Sequence, residues 1–188
     1  MKFITTAALL ILLIFAGCTG PRVYHNPRHS FGAARSIAVL PFENLSGAEG
    51  AGEIVQKIFL VELLRNKTLN VIEPGEVDQA LKELRIRATQ KLSSDQSLKL
   101  KERLKVDWIL LGSVLEFSEQ KQGQREVPVV SLTARVIEAE TGKIVWAAFE
   151  SRQGDDREVI FGIGKVNSAA TLAEKVAQKI VPTLSEKK

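Results

Sequence analysis

One cysteine, two histidines, one methionine, one tyrosine and two tryptophans are all that the 188 residues hold of these types. The lone Cys18 excludes an internal disulfide and any CxxC metal or redox site, and two histidines leave little room for imidazole chemistry. Runs of one charge are missing too. The 26 Lys and Arg stand against 22 Asp and Glu, a net +4, and the signs are interspersed, without the basic block that recognises nucleic acid or heparin. The longest early apolar run, Ala7 to Phe15, falls short of the ~20 residues that a spanning helix needs. What remains is a chain with 45% hydrophobic and 26% charged residues, enough for one folded domain of ordinary size and not for two.

The first twenty residues, MKFITTAALLILLIFAGCTG, read as a secretion signal: Lys2 is the only charge, and small Ala16 and Gly17 precede Cys18. FAGC resembles the lipobox of bacterial lipoproteins. The resemblance implies cleavage after residue 17 and acylation of Cys18, so that Cys18 is a membrane anchor and not a nucleophile; two or three acyl chains hold far more durably than one. By the same resemblance, Thr19 in place of Asp implies an outer-membrane, periplasm-facing address. Residues 18–35 then form a lipidated tether, because TGPRVYHNPRHSFGAAR carries two Pro, two Gly and three Arg without periodicity. Fully extended it reaches at most about 60 Å.

The folded domain is expected over 36–188. SIAVLPF is apolar on both faces, as a strand covered from both sides is. In EIVQKIFLVELLRNK the residues Ile54, Ile58 and Val61 recur at helical spacing, with Val55 and Phe59 beside them. Leu69 to Ile72 is a short second strand. Pro74 sits in the first turn of a helix with Val77, Leu81 and Leu84 on one stripe, and Ser93 or Ser94 caps a third helix. Asp107 to Phe117 is a long apolar strand in which Gly112 marks a bulge or a close approach. Val127 to Ala139 alternates as a strand, ETGK turns it into KIVWAAFE, and Ala169, Leu172, Val176 and Ile180 line a last helix ended near Pro182. The order β-α-β-α-α-β-β-β-α predicts an α/β domain of the α+β kind with one mixed sheet.

Three phrases in this order, IAVLPFENLSG, VDWILLGSV and LTARVIEAETGKIVWA, resemble the family containing the CsgG curli-export lipoprotein, the LpoB synthase activator and the TolB amino-terminal domain. The resemblance covers roughly 36–148 and, more loosely, the final helix. It implies a periplasmic single domain of anticodon-binding-like shape that works through protein contacts, with no catalytic residues to carry over. Two departures narrow it. EFSEQKQGQREV is charged throughout and VIFGIG lacks alternation, so neither matches a membrane-inserting hairpin. A tether of about 60 Å is also marginal for crossing the cell wall as LpoB-like activators do.

Candidate chemistry is sparse. GAEGAGE has neither the GK[ST] ending of a P-loop nor the order of a dinucleotide loop, and Glu49 and Glu53 at a helix start would repel a phosphate while suiting the helix dipole. His25 and His29 are four apart, but Pro27 lies between them, and no nearby acid completes a zinc site. Asp155, Asp156 and Glu158 could suggest calcium or an acid–base pair, yet Arg152 and Arg157 interleave with them as in a solvated loop. Trp108 and Trp146 fall in strands, where such side chains are core. No cofactor and no metal site is expected, and no enzyme. In GDDREVIFGIGKV, Phe161 and Ile163 are the candidate partner contacts; the alternative folds them over the sheet as a seal. The leading expectation is a non-enzymatic outer-membrane lipoprotein acting as a periplasmic accessory subunit. The alternatives are a ring-forming CsgG-like transport component, which would be a homo-oligomer, and an LpoB-like activator of a peptidoglycan synthase.

Overall fold

The computed structural model describes residues 20–28, 36–65, 67, 69–87, 89–123, 125–156 and 166–185. Among these residues, seven strands and four α-helices follow one another as β1 (Arg22–His25), β2 (Ser36–Val39), β3 (Glu43–Asn44), α1 (Ala51–Arg65), β4 (Asn70–Val71), α2 (Pro74–Glu83), α3 (Ser94–Leu104), β5 (Trp108–Gln122), β6 (Arg125–Glu138), β7 (Ile144–Gln153) and α4 (Ala169–Ile180). Short 3₁₀ turns occupy Thr89–Lys91 and Val181–Leu184.

The sheet runs β1-β7-β6-β5-β2-β4, with β3 continuing the β2 side against β5. β2 is parallel to β4 and β5, whereas β5, β6, β7 and β1 are antiparallel in turn. From Ser36 onward this is the expected mixed α/β domain, with the two-residue β3 added where a turn was expected.

The two-sided burial of SIAVLPF follows from the strand period of two. Ile37 and Val39 join a core with α1 and α4. Ala38 and Leu40 join a second core with α2 and α3. The same alternation splits β5, Trp108 and Leu110 going one way and Ile109 and Leu111 the other. Gly112 serves close approach: a Cβ there would lie 2.1 Å from the Phe42 ring, which in turn tilts against Phe59 at 4.9 Å. The bulge falls further on, between Val114 and Glu116. Trp108 and Trp146 are both buried, and the Trp146 indole donates to Thr183 Oγ1 at 3.1 Å.

Helix starts follow their local chemistry. Pro74 opens α2 behind Glu73, whose side chain accepts from Glu76 N. Ser93 and Gln96 form a reciprocal capping box on α3. Ser168 caps α4.

One sequence expectation is corrected, and one ambiguity is resolved. Arg22–His25, placed in the tether, is an edge strand: Arg22 pairs with Phe149 and His25 with Trp146. Val23 packs on the core, and Asn26 N donates to Val145 O at 2.9 Å. The unpaired edge of β7 recruits four residues whose own pattern is too short to announce a strand. In α1, the stripe of Ile54 and Val61 is exposed, and the buried one is Ala51, Val55, Phe59 and Leu63. Both stripes have helical spacing, and the one that continues through small Ala51 and Gly52 is the one that fits against the sheet; a Cβ on Gly52 would lie 2.6 Å from Phe42 O.

Candidate protein-interaction surfaces

α1 is apolar on two sides. Its inner side is fully buried, while Ile54 keeps 39%, Val61 55% and Leu64 60% of their surface exposed along the outer side. Positions 54, 61 and 64 lie within one helical stripe, with Ile58 half-buried beside it. Charges border and interrupt the stripe: Lys57, which lies between Ile54 and Val61 on the same face, donates to Glu53 at 2.7 Å and Arg65 to Glu62 at 3.0 Å. The Lys57 hydrogen bond and charge hold the Glu53 carboxyl below its usual range. Glu53 thus serves the first turn of α1 and its i+4 partner, in keeping with its expected role at the helix dipole. An apolar stripe with a charged border is the composition of a protein contact.

A second feature lies under α4. Glu150 on β7 is 5% exposed. It accepts from Arg152 Nε at 2.5 Å and from Lys179 Nζ of α4 at 3.1 Å, and Asp156 stands 3.7 Å from the Arg152 guanidinium. Gly154 makes the sharp exit from β7, since a Cβ would lie 2.5 Å from Val166 O and 2.7 Å from Pro128. Arg152, Gly154, Asp156 and Lys179, together with Leu172 and Lys175, line a cavity of about 280 Å³. The carboxylate is satisfied by two cations, so the cluster ties β7 to α4.

The expected site residues fall as follows. Cys18, Phe161 and Ile163 lie outside the described residues, as do His29, Arg157 and Glu158. The segment's flanks are described: Val166 N donates to Gly154 O at 2.8 Å. Asp156 accepts from Gln153 N at 3.0 Å, a turn-forming role. His25 belongs to β1. Among the described residues no group of three or more His, Cys, Asp or Glu is gathered as a metal site, and no helix is long and apolar enough to cross a membrane. The outer stripe of α1 is the feature that sequence reasoning did not single out as a surface; the signal was the presence of two apolar stripes, Ile54 and Val61 beside Val55 and Phe59, on one helix.

The fold is shared with solved structures. No family model and no curated protein sequence matches the chain. The PelC dodecamer from Paraburkholderia phytofirmans is 19% identical and covers 89% of this chain and 98% of its own at a TM-score of 0.59. Lipoprotein GNA1162 from Neisseria meningitidis is 20% identical and covers 79% of this chain and 99% of its own at 0.57. The hypothetical protein CT253 from Chlamydia trachomatis is 13% identical, at 81% and 96% coverage and 0.55. At such identities the likeness shows the fold alone. The likeness to CsgG and TolB rests on the sequence phrases.

Proposed function

We propose that the chain is a bacterial envelope lipoprotein, anchored in the outer membrane through acylated Cys18, whose periplasmic domain is a non-enzymatic accessory subunit working through protein contacts. The observation that carries this reading is the outer side of α1, where the apolar Ile54, Val61 and Leu64 are exposed in one stripe on a helix whose opposite side is fully buried. The lipobox supplies the anchor, and the fold likeness to lipoprotein GNA1162 accords with it. Crosslinking from a photoreactive residue at position 61 in intact envelopes tests the contact. Capture of a defined envelope protein supports the accessory role; no crosslink from position 61, with free labelling of the stripe, refutes it.

A second reading is a homo-oligomeric ring, favoured by the likeness to PelC, which crystallised as a dodecamer. It predicts that the position-61 crosslink joins two copies of this chain and that the purified domain has a native mass many times that of one subunit.

A further inference from the structure

The docking of β1 on β7 changes where the domain can stand. With Arg22 fixed in the sheet, only four residue steps separate it from Cys18. At about 3.5 Å per residue that leash spans no more than about 14 Å. Pro21 has a fixed φ and biases Gly20 to an extended conformation, so these first two residues of the leash favour continuing the line of β1.

That end of the sheet also carries the β5–β6 hairpin. Arg22 is level with Phe149 and, through it, with Thr133 of β6. From Thr133, β6 runs on eight residues to Arg125, about 26 Å at ~3.3 Å per residue. Two strand-to-strand twists of about 20–25° reduce its projection along β1 to about 18 Å. The tip therefore reaches beyond the leash.

Resting on the reading that Cys18 is acylated, we propose that the β5–β6 hairpin tip bears on the phospholipid headgroups of the membrane that holds the anchor, so that the sheet stands end-on to the bilayer. The tip is chemically suited to headgroups and not to hydrocarbon. Glu119, Gln120, Lys121, Gln122, Arg125 and Glu126 are all exposed. Lys121 and Arg125 against Glu119 and Glu126 leave no net charge to bind lipid unaided. The leash supplies the proximity, and the tip sets the orientation.

Because Cys18 is the only cysteine, its acylation leaves Gln122→Cys as the sole free thiol of the full-length protein. Lys143→Cys, in the β6–β7 turn, places the thiol at the opposite end of the sheet, about 43 Å away along β6. Each lipidated variant is labelled with a donor fluorophore and reconstituted in vesicles of equal parts phosphatidylethanolamine and phosphatidylglycerol carrying a headgroup acceptor. Quenching several-fold stronger at position 122 than at 143 is expected, and a long Gly/Ser insertion between Thr19 and Gly20 should bring the two together. Equal quenching at 122 and 143 in protein whose mass shows the acyl group overturns the orientation and leaves the anchor intact. Absence of the acyl mass overturns both. Quenching at 122 that survives the insertion overturns the leash argument in favour of direct lipid binding by the tip.

Discussion

Substituting the two sides of α1 separately tests the reading most directly. Phe59 is fully buried, packed against the Phe42 ring at 4.9 Å. Phe59→Ala removes a ring from a close-packed core and should cost about 3–5 kcal/mol. At roughly 2–4 °C per kcal/mol for a domain of this size, the melting temperature falls by about 6–20 °C. Val61, two residues on, is 55% exposed. Val61→Gln puts a better helix former in place of a β-branched residue and should change stability by no more than about 0.5 kcal/mol, under about 2 °C, while removing apolar surface from the centre of the stripe. The assay is thermal unfolding of a chain starting at Gly20, followed by circular dichroism at concentrations where sedimentation shows a single subunit, with association measured in parallel at higher concentration or with captured partner. Stability unchanged and association lost is the expected pair of results. A Val61→Gln variant that melts as early as Phe59→Ala while monomeric would show that the stripe is covered within the chain, and the reasoning would fail.

Four further outcomes are expected. Gly112→Ala places a Cβ 2.1 Å from Phe42 and should cost about 1–3 kcal/mol in thermal melts through displacement of that ring. Glu150→Gln leaves Arg152 and Lys179 without their shared anion and should cost about 2 kcal/mol, discounted because those cations remain 20% and 25% exposed; an unchanged denaturant midpoint would show that the cluster does not hold β7 to α4. Removing residues 20–28 strips β1 from β7 and should destabilise by about 1–3 kcal/mol net of the ordering cost, whereas an unchanged melting temperature would mean that the segment is a free tether after all. Hydrogen bonds from Arg103 and Gln79 lower the Glu83 carboxyl, so the α2–α3 ion pair contributes above the ordinary carboxylate pKa and its contribution is lost as pH falls through the lowered one; Arg103→Gln should flatten that acid limb of a stability–pH profile, and an unaltered limb would refute the pairing.

Much of the domain was legible because its cores obey simple periods. Val77 and Leu81 of α2 and Ala169, Leu172, Val176 and Ile180 of α4 are buried at the spacing read from the sequence, and Ser93 caps α3. Hydrophobic spacing could not decide α1. A helix with two apolar stripes offers two answers at the same period, and only the sheet that receives Val55, Phe59 and Leu63 selects between them. The stripe left outside is then the candidate site. β5 and β6 outrun their apolar segments for a related reason: in the antiparallel arm from Glu116 to Arg125 each strand satisfies the other's backbone, so Lys121 pairs with Glu126 and Gln122 with Arg125 without an apolar face to announce it.

β1 was illegible on stronger grounds. Arg-Val-Tyr-His is four residues between Pro21 and Pro27, too short to establish a period of two, and its partners lie more than a hundred residues away on β7. Nothing local rewards its extended shape; the reward is the open edge of a strand that exists only when the meander has closed. Yet this is the strand that matters most to the domain's position. Read as tether, the segment from Thr19 to Arg35 gives a reach of about 60 Å and lets the domain range through the periplasm. With Arg22 locked opposite Phe149, the proposed acylation of Cys18 would leave a leash of only about 14 Å and keep the domain at the membrane. On that proposal a partner comes to the membrane-held domain, and α1, on the β2–β5 side of the sheet away from β1, is open to receive it.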